Sequence, residues 1–151
     1  MGVIRVATMN DPASTGGTGG DQLFTPLDAL QVMGSSDVMV TPTLRHVEMY
    51  TMRGLLTVLW HEPAEGAPRQ PGALVLCGGA MGGVLGPGAA LYHRLAVQWA
   101  ERGVPVLRVG YRQPNDLDHC CVDVAAAAQL AIGGAGAEKV VLMGHTFGGA
   151  V

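Results

Sequence analysis

Apolar positions become regular at Leu44. Between Leu44 and Tyr50, Val47 and Met49 fall on one face of an extended segment, and a second apolar run, Leu55–Trp60, follows Gly54. Two such runs around a turn residue predict a hairpin. Ala64–Gly72 is rich in Pro and Gly and reads as a loop. Ala73–Cys77 is short and wholly apolar, the pattern of a strand covered on both faces. After the glycine-rich stretch Gly78–Gly83, Leu91, Leu95 and Trp99 recur every fourth residue. That spacing predicts a helix over 89–102 with these three in the core and Gly103 as its left-handed stop. Val104–Val109 predicts another buried strand, in which Pro105 is tolerated near the start. Asp116 or Asp118 is placed to cap a helix running to about Ile132, favoured by Ala125–Ala128 and ended by Gly133–Gly136. Lys139–Met143 predicts the last strand.

Strands separated by helices run parallel, so the last three strands are expected to be parallel behind an antiparallel start. The fold class is α/β with a mostly parallel sheet. Ser14–Gly20 is a low-complexity run that cannot bury a face. Residues 1–40 are therefore expected to form a disordered lead-in, with at most a helical turn near Leu23–Val32, and residues 41–151 the folded part.

Composition adds exclusions. Hydrophobic residues make up 48% and charged residues 14%, which is globular rather than disordered. A net charge of −3 with no basic stripe gives no electrostatic reason to bind nucleic acid or acidic lipid. No run approaches the roughly 18 apolar residues of a membrane helix, and Met1–Asn10 has no signal-peptide core. Cys77, Cys120 and Cys121 make a poor disulfide framework, so reduced thiols and a cytoplasmic location are expected. His46, His61, His93 and His119 form no metal spacing and are expected at the surface or bonded to the backbone; neither metal nor cofactor is expected.

Two glycine-rich loops follow buried strands. Gly144 and Gly149 have the spacing of a phosphate loop, but Ala150 and Val151 stand where lysine and a hydroxyl residue are needed. Gly78, Ala80 and Gly83 lack the middle glycine of a dinucleotide loop. The stretch Gly144-His145-Thr146-Phe147-Gly148 matches Gly-x-Ser-x-Gly after a strand, except for threonine at its centre. That pattern serves a sharp strand-to-helix turn in which small residues two before and two after the nucleophile avoid a clash.

With that motif, Leu44–Val151 resembles the N-terminal portion of an α/β-hydrolase of the esterase or dienelactone-hydrolase-like kind. Leu74–Gly79 resembles the strand and oxyanion loop, Leu95–Gly103 the first crossover helix, and Val106–Arg112 the next strand with its Tyr-Arg end. The resemblance implies Thr146 at the nucleophile position and an oxyanion hole from the backbone N–H of Phe147 and one from Gly79–Ala80. Gly144, His145 and Gly148 build the elbow, and a small ester, lactone or amide is the implied substrate. Threonine departs from the pattern: its β-branch suits the strained turn poorly and crowds the incoming carbonyl. In this fold the acid and histidine follow the nucleophile, and the five residues after Thr146 contain neither. The chain is thus expected to be a fragment, inactive by itself, of a hydrolase. The alternative is a non-catalytic binding protein on the same scaffold. His145 is expected to pack or bond locally, Cys77 to pack, and at most one of Cys120 and Cys121 to be exposed.

Overall fold

The structure, a computed structural model, describes residues 24–151. Its elements are α1 (Pro26–Leu30), β1 (Val32–Thr41), β2 (Leu44–Thr51), β3 (Gly54–His61), β4 (Gly72–Cys77), α2 (Leu91–Ala100), β5 (Val106–Gly110), α3 (Leu117–Ala135) and β6 (Lys139–Gly144), ending in a 3₁₀ turn at Thr146–Gly149. The six strands form one sheet in the order β1-β2-β3-β5-β4-β6. β1, β2, β3 and β5 are joined antiparallel, whereas β4 pairs parallel with both β5 and β6. This is the parallel set expected from the alternation of strand and helix, behind the expected hairpin.

Residues 24–40 correct the lead-in expectation. Thr25 and Asp28 cap α1 reciprocally around Pro26, and β1 pairs along its length with β2. The capping signal Thr-Pro-Leu-Asp is written in the sequence. β1 is harder to see, because Gly34, Ser35, Ser36 and Asp37 interrupt its apolar pattern; its order comes from hydrogen bonds to β2 and from the Asp37–Arg45 ion pair at 3.2 Å. The low-complexity run lies outside the described residues.

β4 and β5 are apolar apart from Arg108 because both their faces are covered. Ala73, Val75, Cys77, Leu107 and Val109 pack with α3, while Leu76 and Val106 pack with α2. The apolar face of α2 is a correction: Tyr92, Ala96 and Ala100 are buried, Leu91 and Leu95 are only partly so, and Trp99 is 38% exposed beneath Arg102. The helix starts at Leu91 rather than Ala89 because Ala89 and Ala90 are left-handed. Gly103 does take the left-handed conformation, at φ +85°. α3 runs on through Gly133 and Gly134 to Ala135. Gly134 is small for a tertiary reason: a Cβ there would stand 2.5 Å from the Trp60 ring.

Two polar features lie inside this apolar frame. Asp123, fully buried on α3, accepts the Arg112 backbone N–H at 2.9 Å and the Arg112 Nε, and the Arg112 side chain is itself 3% exposed. Asp123 is thus the ion-pair partner of Arg112. Burial pushes the Asp123 carboxyl above its usual value, against the opposing pull of Arg112. On the α2 face, His61 is 3% exposed, its ring 5.8 Å from that of His93, and no partner for its Nε2 lies among the described residues. This corrects the expectation of a surface or backbone-satisfied imidazole. Desolvation by burial, followed by the charges of Arg108 and His93, lowers the His61 pKa to about 4.

Two outcomes follow from these features. Asp123→Ala leaves a buried guanidinium unpaired and is expected to cost about 3–5 kcal/mol in urea unfolding; a loss below 1 kcal/mol contradicts a buried pair. The unfolded His61 imidazole binds a proton near pH 6.5 and the folded one only near 4, so stability falls as pH drops through that window, by about 3 kcal/mol at most. His61→Asn is expected to flatten this acid limb in unfolding curves measured at successive pH values.

Candidate functional site

The site is assembled where β4 and β6, paired parallel from Gly72–Lys139 to Cys77–Gly144, end side by side. At the end of β6 the chain reverses into the 3₁₀ turn, and Thr146 sits at the bend with φ +51°. A β-branched residue in the left-handed region is an outlier that costs about 1–3 kcal/mol and persists only where the surroundings impose it. Here the surroundings are glycines. A Cβ on Gly144 would overlap the carbonyl of Gly148, and a Cβ on Gly148 would overlap the carbonyls of Cys77 and Gly78. The small residues two before and two after Thr146 thus let the turn close on itself and lie against the end of β4.

The loop after β4 completes the site. A Cβ added to Gly79 would stand 2.9 Å from Thr146 Oγ1 and 3.2 Å from His145 Nδ1, so this loop abuts the bend directly. Gly79 and Ala80 share with Met81, Leu85, Pro87, His145 and Thr146 the lining of a depression of about 420 Å³. Its wall is mostly backbone and apolar side chain. Phe147 is partly buried and packs on the main core, its ring edge-on to Tyr111 with centroids 6.4 Å apart. The structure therefore brings together Gly79, Ala80, Gly144, His145, Thr146, Phe147 and Gly148, the residues singled out in the sequence.

Several contacts hold the loop that the sequence did not reveal. The Tyr92 hydroxyl donates to Cys77 O at 2.8 Å, the Tyr111 hydroxyl to Gly78 O at 3.1 Å, and buried Arg108 donates from Nη1 to Val84 O at 3.1 Å. Gly82 N–H closes a tight turn on Gly79 O at 2.8 Å. Left-handed glycines at 82, 83, 86 and 88 let the loop coil over β4; at Gly86 a Cβ would run into the Tyr92 ring. Cys77 lies beneath, buried, its thiol pushed by desolvation to about 11, so it stays protonated and packs. Cys120 is buried and Cys121 exposed. Among the described residues no cluster of three or more His, Cys, Asp or Glu is placed to hold a metal ion, and no helix is long and apolar enough to cross a membrane.

No family profile matches the sequence, and no curated protein matches it. Solved structures do match in shape. One is an α/β serine hydrolase without a lid from Xanthomonas campestris, with TM-score 0.55 and 18% identity over 76% of this chain and 56% of that one. An α/β serine hydrolase homologue from Coxiella burnetii matches with TM-score 0.55 and 17% identity over 73% of this chain and 55% of that one. A cold-adapted esterase from an Arctic intertidal metagenomic library, solved with bound polyethylene glycol, gives TM-score 0.50 and 16% identity over 74% of this chain and 54% of that one. The chain has an α/β-hydrolase-like fold and spans just over half the length of these structures.

The bend yields a stability prediction. Thr146→Gly removes the left-handed penalty and is expected to raise stability by about 1 kcal/mol in urea, whereas Gly144→Ala is expected to lose more than about 3 kcal/mol or the fold itself. A neutral Gly144→Ala contradicts the packing described.

Proposed function

We propose that this chain carries the nucleophile elbow and oxyanion hole of an acyl hydrolase acting on a small ester, lactone or amide. The observation that carries this reading is Thr146, held at φ +51° on a strand-to-helix bend with its Oγ1 against the glycine loop after β4. In such a site the hydroxyl attacks the carbonyl carbon. The oxygen that gains charge is met by backbone N–H groups, here those of Phe147 and of Gly79 or Ala80. Elbow residues Gly144, His145 and Gly148 hold the geometry rather than react. The largely apolar wall of Met81, Leu85 and Pro87 suits an uncharged substrate without cofactor. The partner is then a small molecule rather than a nucleic acid or a membrane, met in the cytoplasm, where Cys77, Cys120 and Cys121 stay reduced.

A threonine hydroxyl is a weak nucleophile until a base takes its proton. By the order of groups in this fold, the acid and the histidine come after the nucleophile. Thr146 adds a methyl group where the carbonyl must approach, so turnover with threonine is expected to be low, and none is expected from residues 1–151 by themselves. A second reading, a binding protein that keeps the scaffold without catalysis, is favoured by that same methyl group.

The two readings separate on the protein isolated from its source at its native length. For the hydrolase, Thr146→Ser is expected to raise hydrolysis of p-nitrophenyl acetate at least about tenfold and to introduce labelling by a fluorophosphonate probe that Thr146→Ala lacks. A folded Thr146→Ser protein with neither turnover nor labelling would sink the hydrolase reading and leave the binding one.

A further inference from the structure

We infer that Tyr111 is a positioning residue of the oxyanion hole, aiming the Gly79 N–H by gripping the carbonyl on the other side of the same peptide; this rests on the hydrolase reading above. Tyr111 follows β5 and is 7% exposed. Its hydroxyl donates to Gly78 O at 3.1 Å. A peptide unit is planar and trans, so its C=O and N–H point in opposite directions. Fixing the Gly78 carbonyl toward Tyr111 therefore fixes the Gly79 N–H away from it, on a glycine whose free Cβ position lies 2.9 Å from Thr146 Oγ1. Glycine is needed there for close approach, and it leaves the peptide free to rotate unless something holds it.

The same side chain meets the other half of the hole. Its ring stands edge-on to Phe147, at 81° and 6.4 Å between centroids, and Phe147 carries the second proposed donor. Gly148, one residue on, packs against Gly78 O as well. Tyr111 thus ties the loop after β4 to the elbow after β6 through one phenol. Burial raises the pKa of that phenol, so it remains a donor through the neutral range. The neighbouring phenol, Tyr92, grips Cys77 O and so sets the preceding peptide instead, which makes it an internal control.

Tyr111→Phe keeps the ring and its edge contact and deletes only the hydroxyl. The test measures the Gly79 N–H direction from residual dipolar couplings in ¹⁵N-labelled native-length protein, and kcat and KM on p-nitrophenyl acetate in the Thr146→Ser background. The expected result is a rotated Gly79 N–H in Tyr111→Phe but not in Tyr92→Phe, with kcat down about ten- to a hundredfold at nearly constant KM. An unmoved Gly79 N–H overturns the inference. So does a rotated N–H with unchanged kcat in an active protein. Should Tyr111→Phe not fold, 3-fluorotyrosine at position 111 strengthens the donor without changing shape; a Gly79 amide resonance that stays put then overturns it. Absence of turnover in Thr146→Ser itself would remove the hydrolase reading, and the couplings alone would then decide whether Tyr111 sets this peptide.

Discussion

The contact on which the site depends is backbone against backbone. The carbonyl of Gly148 occupies the space where Gly144 would carry a Cβ, and Gly148 rests on the carbonyls of Cys77 and Gly78. Those contacts lock the bend after β6 to the end of β4 and hold Thr146 at a positive φ that its side chain would otherwise avoid. The parallel pairing of β4 with β6 brings the two strand ends level. Without the missing side chains at 144 and 148, pairing alone would not bring the two loops into contact.

Around this contact the fold supplies a packed core. The central strands bury apolar side chains on both faces, and several of the polar groups admitted among them are tied to a loop. Asp123 receives the Arg112 backbone and side chain just past β5. Arg108 reaches from β5 to the carbonyl of Val84, and Tyr92 and Tyr111 reach the carbonyls of Cys77 and Gly78. Buried donors need partners, and the loop after β4, coiled through left-handed glycines, exposes carbonyls that need donors. The core thereby shapes the loop. By contrast β6, at one edge of the sheet among the described residues, leaves Val141 60% and Leu142 53% exposed.

Thr146 is where the local rules conflict. Backbone geometry favours glycine, hydrolase chemistry favours serine, and the chain has a β-branched hydroxyl residue. Strain of this kind is typical of functional sites.

The sequence by itself determined the alternation of strands and helices from Leu44 onward, the parallel set, and the glycines that let the chain bend after β6, since these rest on periodicity and on glycines at fixed short spacing. It also contained the Thr25–Asp28 capping signal. What it could not show was anything set by distant partners. β1 is ordered by pairing with β2 despite its weak pattern, α2 buries Tyr92, Ala96 and Ala100 rather than the apolar stripe of its sequence, and Gly134 is small because the Trp60 ring lies against it. The same holds for Arg112 with Asp123, eleven residues apart, for buried His61, and for Tyr111 on Gly78, thirty-three residues away. Short-range patterns are legible because backbone geometry repeats along the chain; pairings between distant residues exist only once the sheet has brought them together.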